Sequence, residues 1–436
     1  MEPGRKRSTG ILHPDKRKSR IQNKEIRMID TSTQKERYIL VSVYGEDEDR
    51  AESLVNELAF LTETAGGEAV CKVMQHLEHP NPATYIGKGK AEEISLLIDE
   101  LNADGIICDD ELTAIQIRNL SDILKVKVID RTILILDIFA AHALTAEGKL
   151  QVEMAQLEYR ASHLAGIGKA LSRLGGGIGT RGPGETKLET DKRAIRKRLS
   201  SLKAEIKKLK ESRNTGRQKR MQSGIPVAAI VGYTNAGKST FLNRVTAADV
   251  KEADMLFATL DPTTRLCSLP DGMEVLLTDT VGFISKLPHN LIDAFRSTLE
   301  EAKYADILIH VVDASDPDLD MHMDVVYKTL RELDVTGKPV ITVFNKMDLV
   351  SDEDGLRDTR ADMTVRTSLK NGEGNEELLR KISELILKGQ KHIDTVIPYN
   401  EGDRLSLVRR RGRIILEEYT PEGVHIEAYV PETLGI

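Results

Sequence analysis

The chain has 436 residues, which is too many for one hydrophobic core and predicts about two to four folding units. It is 30% charged, lacks Trp, and has no apolar run near the roughly 18 residues of a membrane span, so membrane insertion is not expected. Cys71, Cys108 and Cys267 are isolated, which excludes a disulfide framework and metal-ligand spacing and favours a cytoplasmic location.

The net charge of -7 conceals a separation of charge along the chain. Residues 160–225 contain 18 Lys or Arg against 5 Asp or Glu, and residues 1–27 contain 9 against 3. A charge run is often only a solvated face, but two basic segments in an acidic protein favour a polyanionic partner such as RNA. Residues 1–35 read as a basic flexible tail without the apolar core of a secretory signal.

Residues 36–140 predict a small parallel α/β domain. Helical stretches near 49–65, 89–103 and 112–125 alternate with apolar runs at 38–43, 69–74, 105–108 and 126–129. Such alternation is typical of a parallel sheet flanked by helices. A second nucleotide site is not favoured here, because the run from Gly87 to Lys90 is too short for a phosphate loop.

Residues 141–222 predict a helical hairpin with a glycine-rich tip. Helical spacing extends to about residue 164, and Gly166 and Gly168 are expected to interrupt it. Six glycines and a proline within residues 174–185 predict a loop. Residues 187–210 return to a helical period, with an apolar stripe that should pack and a basic face that should stay free. Residues 216–224 are expected to form a linker.

A glycine-rich loop follows the apolar strand pattern at 227–231. The loop sequence Gly-Tyr-Thr-Asn-Ala-Gly-Lys-Ser-Thr leads into a helical segment, as in phosphate-binding loops, where backbone N–H groups converge on phosphate oxygens. Lys238 is expected to reach the β- and γ-phosphates, and Ser239 to bind Mg²⁺. The predicted nucleotide contacts here are Gly232, Tyr233, Thr234, Asn235, Ala236, Gly237, Lys238, Ser239 and Thr240.

A second apolar strand, at 275–279, delivers Asp279 at its carboxyl end. There the carboxylate would hold Mg²⁺ through water, and Gly282 can offer its N–H to the γ-phosphate. The predicted contacts in this segment are Asp279, Thr280, Val281 and Gly282.

The second direct magnesium ligand is expected between these two motifs. Position, together with the family resemblance described below, selects Thr259, while Thr263 and Thr264 are competitors interpreted as turn residues beside Pro262. Lys238, Thr259 and Gly282 are therefore the predicted catalytic residues. The contacts predicted around Thr259 are Phe257, Ala258, Leu260 and Asp261.

A third strand, at 340–344, leads into Asn-Lys-Met-Asp and indicates the base. The Asp348 carboxylate can accept hydrogen bonds from N1–H and N2–H of guanine, whereas adenine offers no such pair. Leaving a buried carboxylate unpaired would cost on the order of 1 to 3 kcal/mol or more, which is enough to exclude ATP. Residues 223–390 are thus predicted to bind and hydrolyse GTP, with base contacts from Asn345, Lys346, Met347, Asp348, Ser368, Leu369 and Lys370.

The residue after Gly282 is Phe283, where many GTPases of the Ras type place a water-orienting Gln. A phenyl ring cannot orient water, so slow hydrolysis is expected unless it is stimulated. The stimulus could be a partner, a rearranged switch segment or K⁺ held by Asn235, whose position matches that used in potassium-stimulated GTPases.

Several blocks resemble the HflX family, within the Obg/HflX group of translation-factor-related GTPases. They are Tyr-Ile-Gly-Lys-Gly-Lys from 85, Val-Ile-Asp-Arg from 128, Glu-Gly-Lys-Leu-Gln-Val-Glu from 147 and the long glycine-rich block at 175–191. The resemblance covers about residues 38 to 436 and implies an N-terminal HflX domain, a GTPase domain and binding to the 50S ribosomal subunit. It also implies that the tip approaches the peptidyl-transferase region of the rRNA, with candidate contacts at Gly177, Arg181, Gly182 and Gly184.

The predicted fold class is α/β: a P-loop GTPase domain, preceded by a small parallel α/β domain with a helical hairpin and followed by a small α/β C-terminal domain at 391–436. A monomer is expected. Splitting of ribosomes, rescue of stalled ribosomes and help in their assembly all remain open. The competing hypothesis is a regulatory GTPase module that acts on a protein or membrane partner and uses the basic hairpin for docking.

Overall fold

The computed structural model describes residues 35–174, 183–222, 225–246, 263–288, 301–351 and 355–431. Within these ranges no helix is both long and apolar enough to cross a bilayer. Some predicted positions lie outside the described residues. They are Phe257, Ala258, Thr259, Leu260 and Asp261, between the phosphate loop and the second apolar strand, and Gly177, Arg181 and Gly182 in the glycine-rich segment.

The N-terminal domain is a four-stranded parallel sheet in the order β2-β1-β3-β4. Alternate residues of β1 serve two cores: Ile39 and Val41 pack with α2 and α3, whereas Tyr38 and Leu40 pack with α1 and α4. The elements are β1 (Arg37–Tyr44), α1 (Glu48–Thr64), β2 (Glu68–His76), α2 (Lys88–Leu101), β3 (Gly105–Cys108), α3 (Ala114–Leu124), β4 (Lys127–Asp130) and α4 (Arg131–His142).

Two long helices, α5 (Ala146–Leu174) and α6 (Pro183–Gln222), form the middle region. The expected interruption of α5 at Gly166 and Gly168 is wrong, because the helix continues through both glycines. A glycine inside a helix costs only about 1 kcal/mol relative to Ala, which packing against a neighbouring helix can outweigh. The predicted loop and linker were also too long, since α6 begins at Pro183 and ends at Gln222.

The apolar stripe of α6 packs as predicted. Leu202 is fully buried, and Ile195, Leu199, Ile206 and Leu209 are half-buried along the same face. Among the described residues, three ion pairs join α6 to α5. They run from Arg198 Nε to Glu153 Oε1 at 2.6 Å, from Lys203 Nζ to Glu158 Oε1 at 3.0 Å and from Arg213 Nη1 to Glu147 Oε1 at 3.2 Å. On the opposite face of α6 the basic side chains of Arg193, Arg196, Lys197, Lys207 and Lys208 are exposed.

The GTPase domain contains a six-stranded sheet in the order β10-β9-β8-β5-β7-β6. Its neighbouring strands run parallel, except that β6 is antiparallel to β7. The described elements are β5 (Val227–Gly232), α7 (Lys238–Thr246), β6 (Thr263–Ser268), β7 (Glu274–Asp279), β8 (Ile307–Asp313), α8 (Leu319–Glu332), β9 (Val340–Asn345), β10 (Met363–Arg366) and α9 (Asn375–Lys388).

The C-terminal unit is a three-stranded antiparallel sheet covered by one helix. Its core includes Ile393, Val408 and Ile426. The elements are β11 (Gln390–Ile397), α10 (Gly402–Arg411), β12 (Arg413–Thr420) and β13 (Gly423–Pro431), with β13 in the centre of the sheet. Together with the parallel N-terminal sheet and the GTPase domain, this arrangement confirms the predicted fold class.

Candidate nucleotide-binding site

The predicted phosphate loop connects the central strand β5 to the first turn of α7. Two of its glycines are required by close contacts: a Cβ on Gly232 would lie 2.2 Å from the Val311 carbonyl oxygen, and one on Gly237 would lie 2.3 Å from Asn345 Nδ2. Gly237 also has φ +101°, which L-residues rarely adopt. The loop therefore presses closely on its neighbours and ends at the positive end of a helix dipole, where anions are stabilised.

Lys238, the first residue of α7, is buried with 7% of its surface exposed. Its Nζ donates a hydrogen bond to the Tyr233 carbonyl oxygen at 2.6 Å. Burial lowers the pKa of Lys238 to about 8, although the nearby Asp279 carboxylate acts in the opposite direction. The ammonium is thus a desolvated charge that a polyphosphate would stabilise.

A hydroxyl and a carboxylate meet beside this lysine. Ser239 Oγ donates to Asp279 Oδ2 at 3.0 Å, and Asp279 is fully buried at the end of β7. Oxygen ligands from a phosphate loop and a neighbouring strand end, completed by phosphate oxygens and water, are what Mg²⁺ prefers. The donor set present here fits that ion.

Gly282 lies directly against the phosphate loop. A Cβ at this position would be 2.8 Å from Thr234 Cγ2 and 3.0 Å from Lys238 Nζ. The next residue pairs with the loop backbone, since Thr234 N–H donates to the Phe283 carbonyl at 2.8 Å and Phe283 N–H donates to Gly232 at 3.1 Å. The Phe283 ring is 1% exposed and belongs to the core, so it does not position water.

The two alternatives to Thr259 as a magnesium ligand lie in a strand. Thr263 and Thr264 begin β6 and pair with β7, so their interpretation as turn residues is wrong. Thr264 Oγ1 lies 3.0 Å from Thr278 Oγ1, a cross-strand hydrogen bond that the antiparallel pairing creates. Thr280 is likewise structural in its side chain, which donates to the Ile230 carbonyl at 2.7 Å.

The base-recognition segments are joined by Asn345, which is buried at the end of β9. Asn345 Nδ2 donates to the Ala236 carbonyl at 2.8 Å, and its Oδ1 accepts from Leu369 N–H at 3.0 Å. Asp348 stays exposed, and Ser368 Oγ donates to its Oδ1 at 2.6 Å. One amide therefore fixes the phosphate loop and the Ser368 segment together, and one hydroxyl orients the carboxylate that would read guanine.

Three contacts around these motifs were not predicted. Lys346 Nζ pairs with Asp313 Oδ2 at 2.6 Å, and Arg244 Nη2 donates to the Lys370 carbonyl at 2.9 Å. The Tyr233 ring stacks on His322 with centroids 3.7 Å apart. Asp313 is the last residue of a buried strand, as Asp279 is, so the sequence could have placed its carboxylate at the same edge of the sheet. The sequence contains no comparable pattern for Arg244 or His322.

Replacing Asp348 with Asn should lower GTP affinity at least about tenfold, because the amide nitrogen would face the two guanine donors that the carboxylate accepts. Affinity for xanthosine triphosphate should rise, since xanthine carries a carbonyl at C2 that an amide can donate to. Calorimetric titration with GTP and with xanthosine triphosphate measures both changes in affinity. Asp334→Asn is a matched control, because that side chain is 80% exposed and belongs to the same domain. Unchanged GTP affinity in Asp348→Asn would contradict this assignment.

GTP binding should take up protons at alkaline pH. The pKa of free Lys238 is about 8, and contact with phosphate oxygens should raise it, so GTP affinity should fall as pH rises through 8. Near pH 8 the uptake should be about half a proton, and at pH 7 close to none, as measured by calorimetry in buffers of different ionisation enthalpy. Equal heats of binding at pH 8 in two buffers of different ionisation enthalpy would contradict a rise in the pKa of Lys238 on GTP binding.

Comparison with known proteins identifies the family of this chain. Three family models match in order: a "GTP-binding GTPase N-terminal" region at residues 52–140, a "GTP-binding GTPase Middle Region" at 142–220 and a "50S ribosome-binding GTPase" at 227–346. A crystal structure of a GTP-binding protein from Sulfolobus solfataricus in complex with GDP aligns over 81% of this chain and 99% of its own. The aligned residues are 25% identical, with a TM-score of 0.43.

Similar sequences are found in several bacteria. The GTPase HflX of Lacrimispora saccharolytica is 55% identical over 93% of this chain and 96% of its own length. That of Caldanaerobacter subterraneus is 48% identical over 92% and 93%, and that of Escherichia coli is 41% identical over 86% and 88%. The chain therefore belongs to the HflX family and is a GTP-binding, ribosome-associated GTPase.

Proposed function

We propose that this GTPase acts on the large ribosomal subunit and releases or splits stalled ribosomes, with help in ribosome assembly as the alternative outcome of the test below. The observation that carries the proposal is the free basic face of α6, where Arg193, Arg196 and Lys197 are exposed along a 40-residue helix. The match to a 50S ribosome-binding family model supports the same partner. Such a protein would work as a monomer in the cytoplasm.

A basic helix of this kind contacts RNA chiefly through phosphates, without reading sequence. The glycine-rich segment before α6 would approach the rRNA backbone closely, because glycine has no side chain to keep the main chain away. The proposed contacts are Gly177, Arg181 and Gly182, together with Gly184 in the first turn of α6. Binding should weaken steeply with added salt, since each neutralised phosphate releases counterions.

GTP would act as the switch. Ser239 and Thr259 would hold Mg²⁺ directly and Asp279 through water, and a bound ion would neutralise charge on the β- and γ-phosphates. The segments around Thr259 and Gly282 would be ordered by the γ-phosphate and released after hydrolysis. The ribosome-bound conformation would therefore be favoured by GTP and lost with GDP.

Replacing Gly182 and Gly184 together with Phe should abolish association with the large subunit and leave GTP affinity unchanged, because bulky side chains would hold the backbone away from RNA. Co-sedimentation with 50S subunits, 70S ribosomes and free rRNA, each with GTP analogue or GDP, measures this. Gly45→Phe is a matched control, since a Cβ at Gly45 meets nothing within 4 Å.

Each outcome of the sedimentation experiment has a distinct meaning. Conversion of 70S ribosomes into subunits with GTP would support splitting, whereas stable binding to 50S subunits alone would favour assembly. Unchanged sedimentation of the Gly182 and Gly184 variant would overturn the role of the tip, and binding by neither variant nor parent would favour a regulatory GTPase with a protein or membrane partner.

We also propose that K⁺ stimulates hydrolysis in this protein, which has Phe283 in place of a water-orienting Gln, by adding a positive charge beside the phosphates. Asn235 is exposed within the phosphate loop, where its side chain could bind such an ion beside the phosphates. GTP turnover should be at least about tenfold faster in KCl than in NaCl, the effect expected of one added electrostatic contact.

The matched variant for this proposal is Asn235→Gly. Asn235 has φ +60°, which glycine adopts without strain, so this change removes the side chain and spares the loop conformation. The difference between the two salts should disappear in the variant. Equal turnover of the parent protein in both salts would refute the role of K⁺.

A further inference from the structure

Charged side chains are buried where the N-terminal domain meets the GTPase domain. Arg131, the first residue of α4, is 1% exposed, and its Nη1 lies 2.7 Å from Asp109 Oδ1. Its Nη2 pairs with Glu57 of α1. A buried guanidinium is tolerated only when carboxylates surround it, because the cost of desolvation is otherwise large.

The GTPase domain supplies the remaining members of this group. Tyr233 of the phosphate loop donates its hydroxyl to Glu57 and accepts a hydrogen bond from Ser285 N–H at 2.7 Å. Lys286 Nζ lies 2.6 Å from Asp109 Oδ2 and 2.6 Å from Asp110 Oδ1. The interdomain cluster thus comprises Glu57, Asp109, Asp110, Arg131, Tyr233, Ser285 and Lys286.

Lys286 contacts the N-terminal domain at the carboxyl edge of its parallel sheet. Asp109 and Asp110 directly follow β3, at the carboxyl edge of the parallel sheet where its strand order reverses between β1 and β3. Open parallel sheets usually bind a ligand at such an edge. Here that position receives a lysine from the neighbouring domain, which ties the two domains together by charge.

The segment that carries Lys286 also carries Gly282. The two residues are four positions apart, and Phe283 between them is hydrogen-bonded to Gly232 and Thr234 of the phosphate loop. Gly282 is therefore held from both sides, by the loop backbone and by the contact of Lys286 with two carboxylates. A Cβ on Gly282 would lie 3.0 Å from Lys238 Nζ, so the Gly282 backbone is close to the lysine that is expected to reach the γ-phosphate.

The backbone at Lys286 is itself unusual. Its φ of +53° lies in the left-handed region, which is uncommon for a residue other than Gly, Asn or Asp. Such a conformation is stabilised by surrounding contacts. Among the described residues, the contacts of the Lys286 side chain include the carboxylates of Asp109 and Asp110. Without them the segment after Gly282 would be expected to relax.

We propose that Lys286, anchored by Asp109 and Asp110, is a positioning residue that fixes Gly282 for recognition of the γ-phosphate. The N-terminal domain then contributes to the preference for GTP over GDP, because only GTP has the phosphate that Gly282 contacts. By linkage, a partner that shifts the N-terminal domain would change GTP affinity, and GTP would change the affinity for that partner by the same factor. The inference rests on the GTPase activity and does not depend on ribosome binding.

The test uses the full-length protein without ribosomes. Lys286→Met should weaken binding of a non-hydrolysable GTP analogue about tenfold and leave GDP affinity within about twofold, since the contact acts only through the γ-phosphate. Lys286→Arg, which keeps the charge, should restore most of the GTP affinity and turnover. Calorimetric titration and single-turnover hydrolysis give both readouts, and thermal unfolding confirms that each variant is folded.

Lys303→Met is the matched control, because Lys303 forms an exposed ion pair with Asp334 at 3.6 Å in the same domain. Asp110→Asn provides a second approach from the N-terminal domain, and combining it with Lys286→Met should add little to the loss of either change alone. Equal weakening of GTP and GDP binding, or no change in either, would overturn the proposal and leave the cluster a purely structural contact. Additive losses in the double variant would overturn it as well.

Discussion

The nucleotide site depends on one buried positive charge. The Lys238 ammonium lies beneath the phosphate loop and donates a hydrogen bond to the Tyr233 carbonyl oxygen. Burial of this ammonium lowers its pKa. A bound triphosphate would replace the water that burial excludes from this ammonium with anionic oxygens. The loop therefore favours polyanions even without contacts to the base. The glycines at 232, 237 and 282 allow the backbone to close around that charge. Asn345 joins the phosphate loop to the base-recognition segments by hydrogen bonds.

The same physical rule governs the contact between domains. Arg131 is compatible with burial only while Glu57 and Asp109 accept from it, and these carboxylates are in turn shared with Tyr233 and Lys286 of the GTPase domain. Each charge therefore constrains where its partners lie. Separating the two domains at this point would leave buried charges without their partners, which is costly, so the network opposes other arrangements of the two domains.

Much of the fold could be predicted because its signals are local. The strands of the N-terminal sheet and the strand before the phosphate loop follow from short apolar runs bounded by helical spacing, and the glycine-rich loop is legible from its own residues. The continuity of α5 through Gly166 and Gly168 was not predicted because glycine is common in turns, yet its cost inside a helix, about 1 kcal/mol relative to Ala, need not end the helix. The bond between Tyr233 and Glu57 joins residues 176 positions apart, and no pattern along the chain indicates it. Asn345 was recognised as a base contact, yet its role as a bridge needed the three-dimensional structure.

The length of α6 has a mechanical consequence. Forty helical residues at 1.5 Å each form a rod of about 60 Å. Only four residues separate its last turn from β5, the strand that leads into the phosphate loop. A tilt of about 5° at that end would move the opposite end through roughly 5 Å, more than the length of a hydrogen bond. Rearrangements too small to alter either fold could in this way become displacements large enough to disturb an RNA contact.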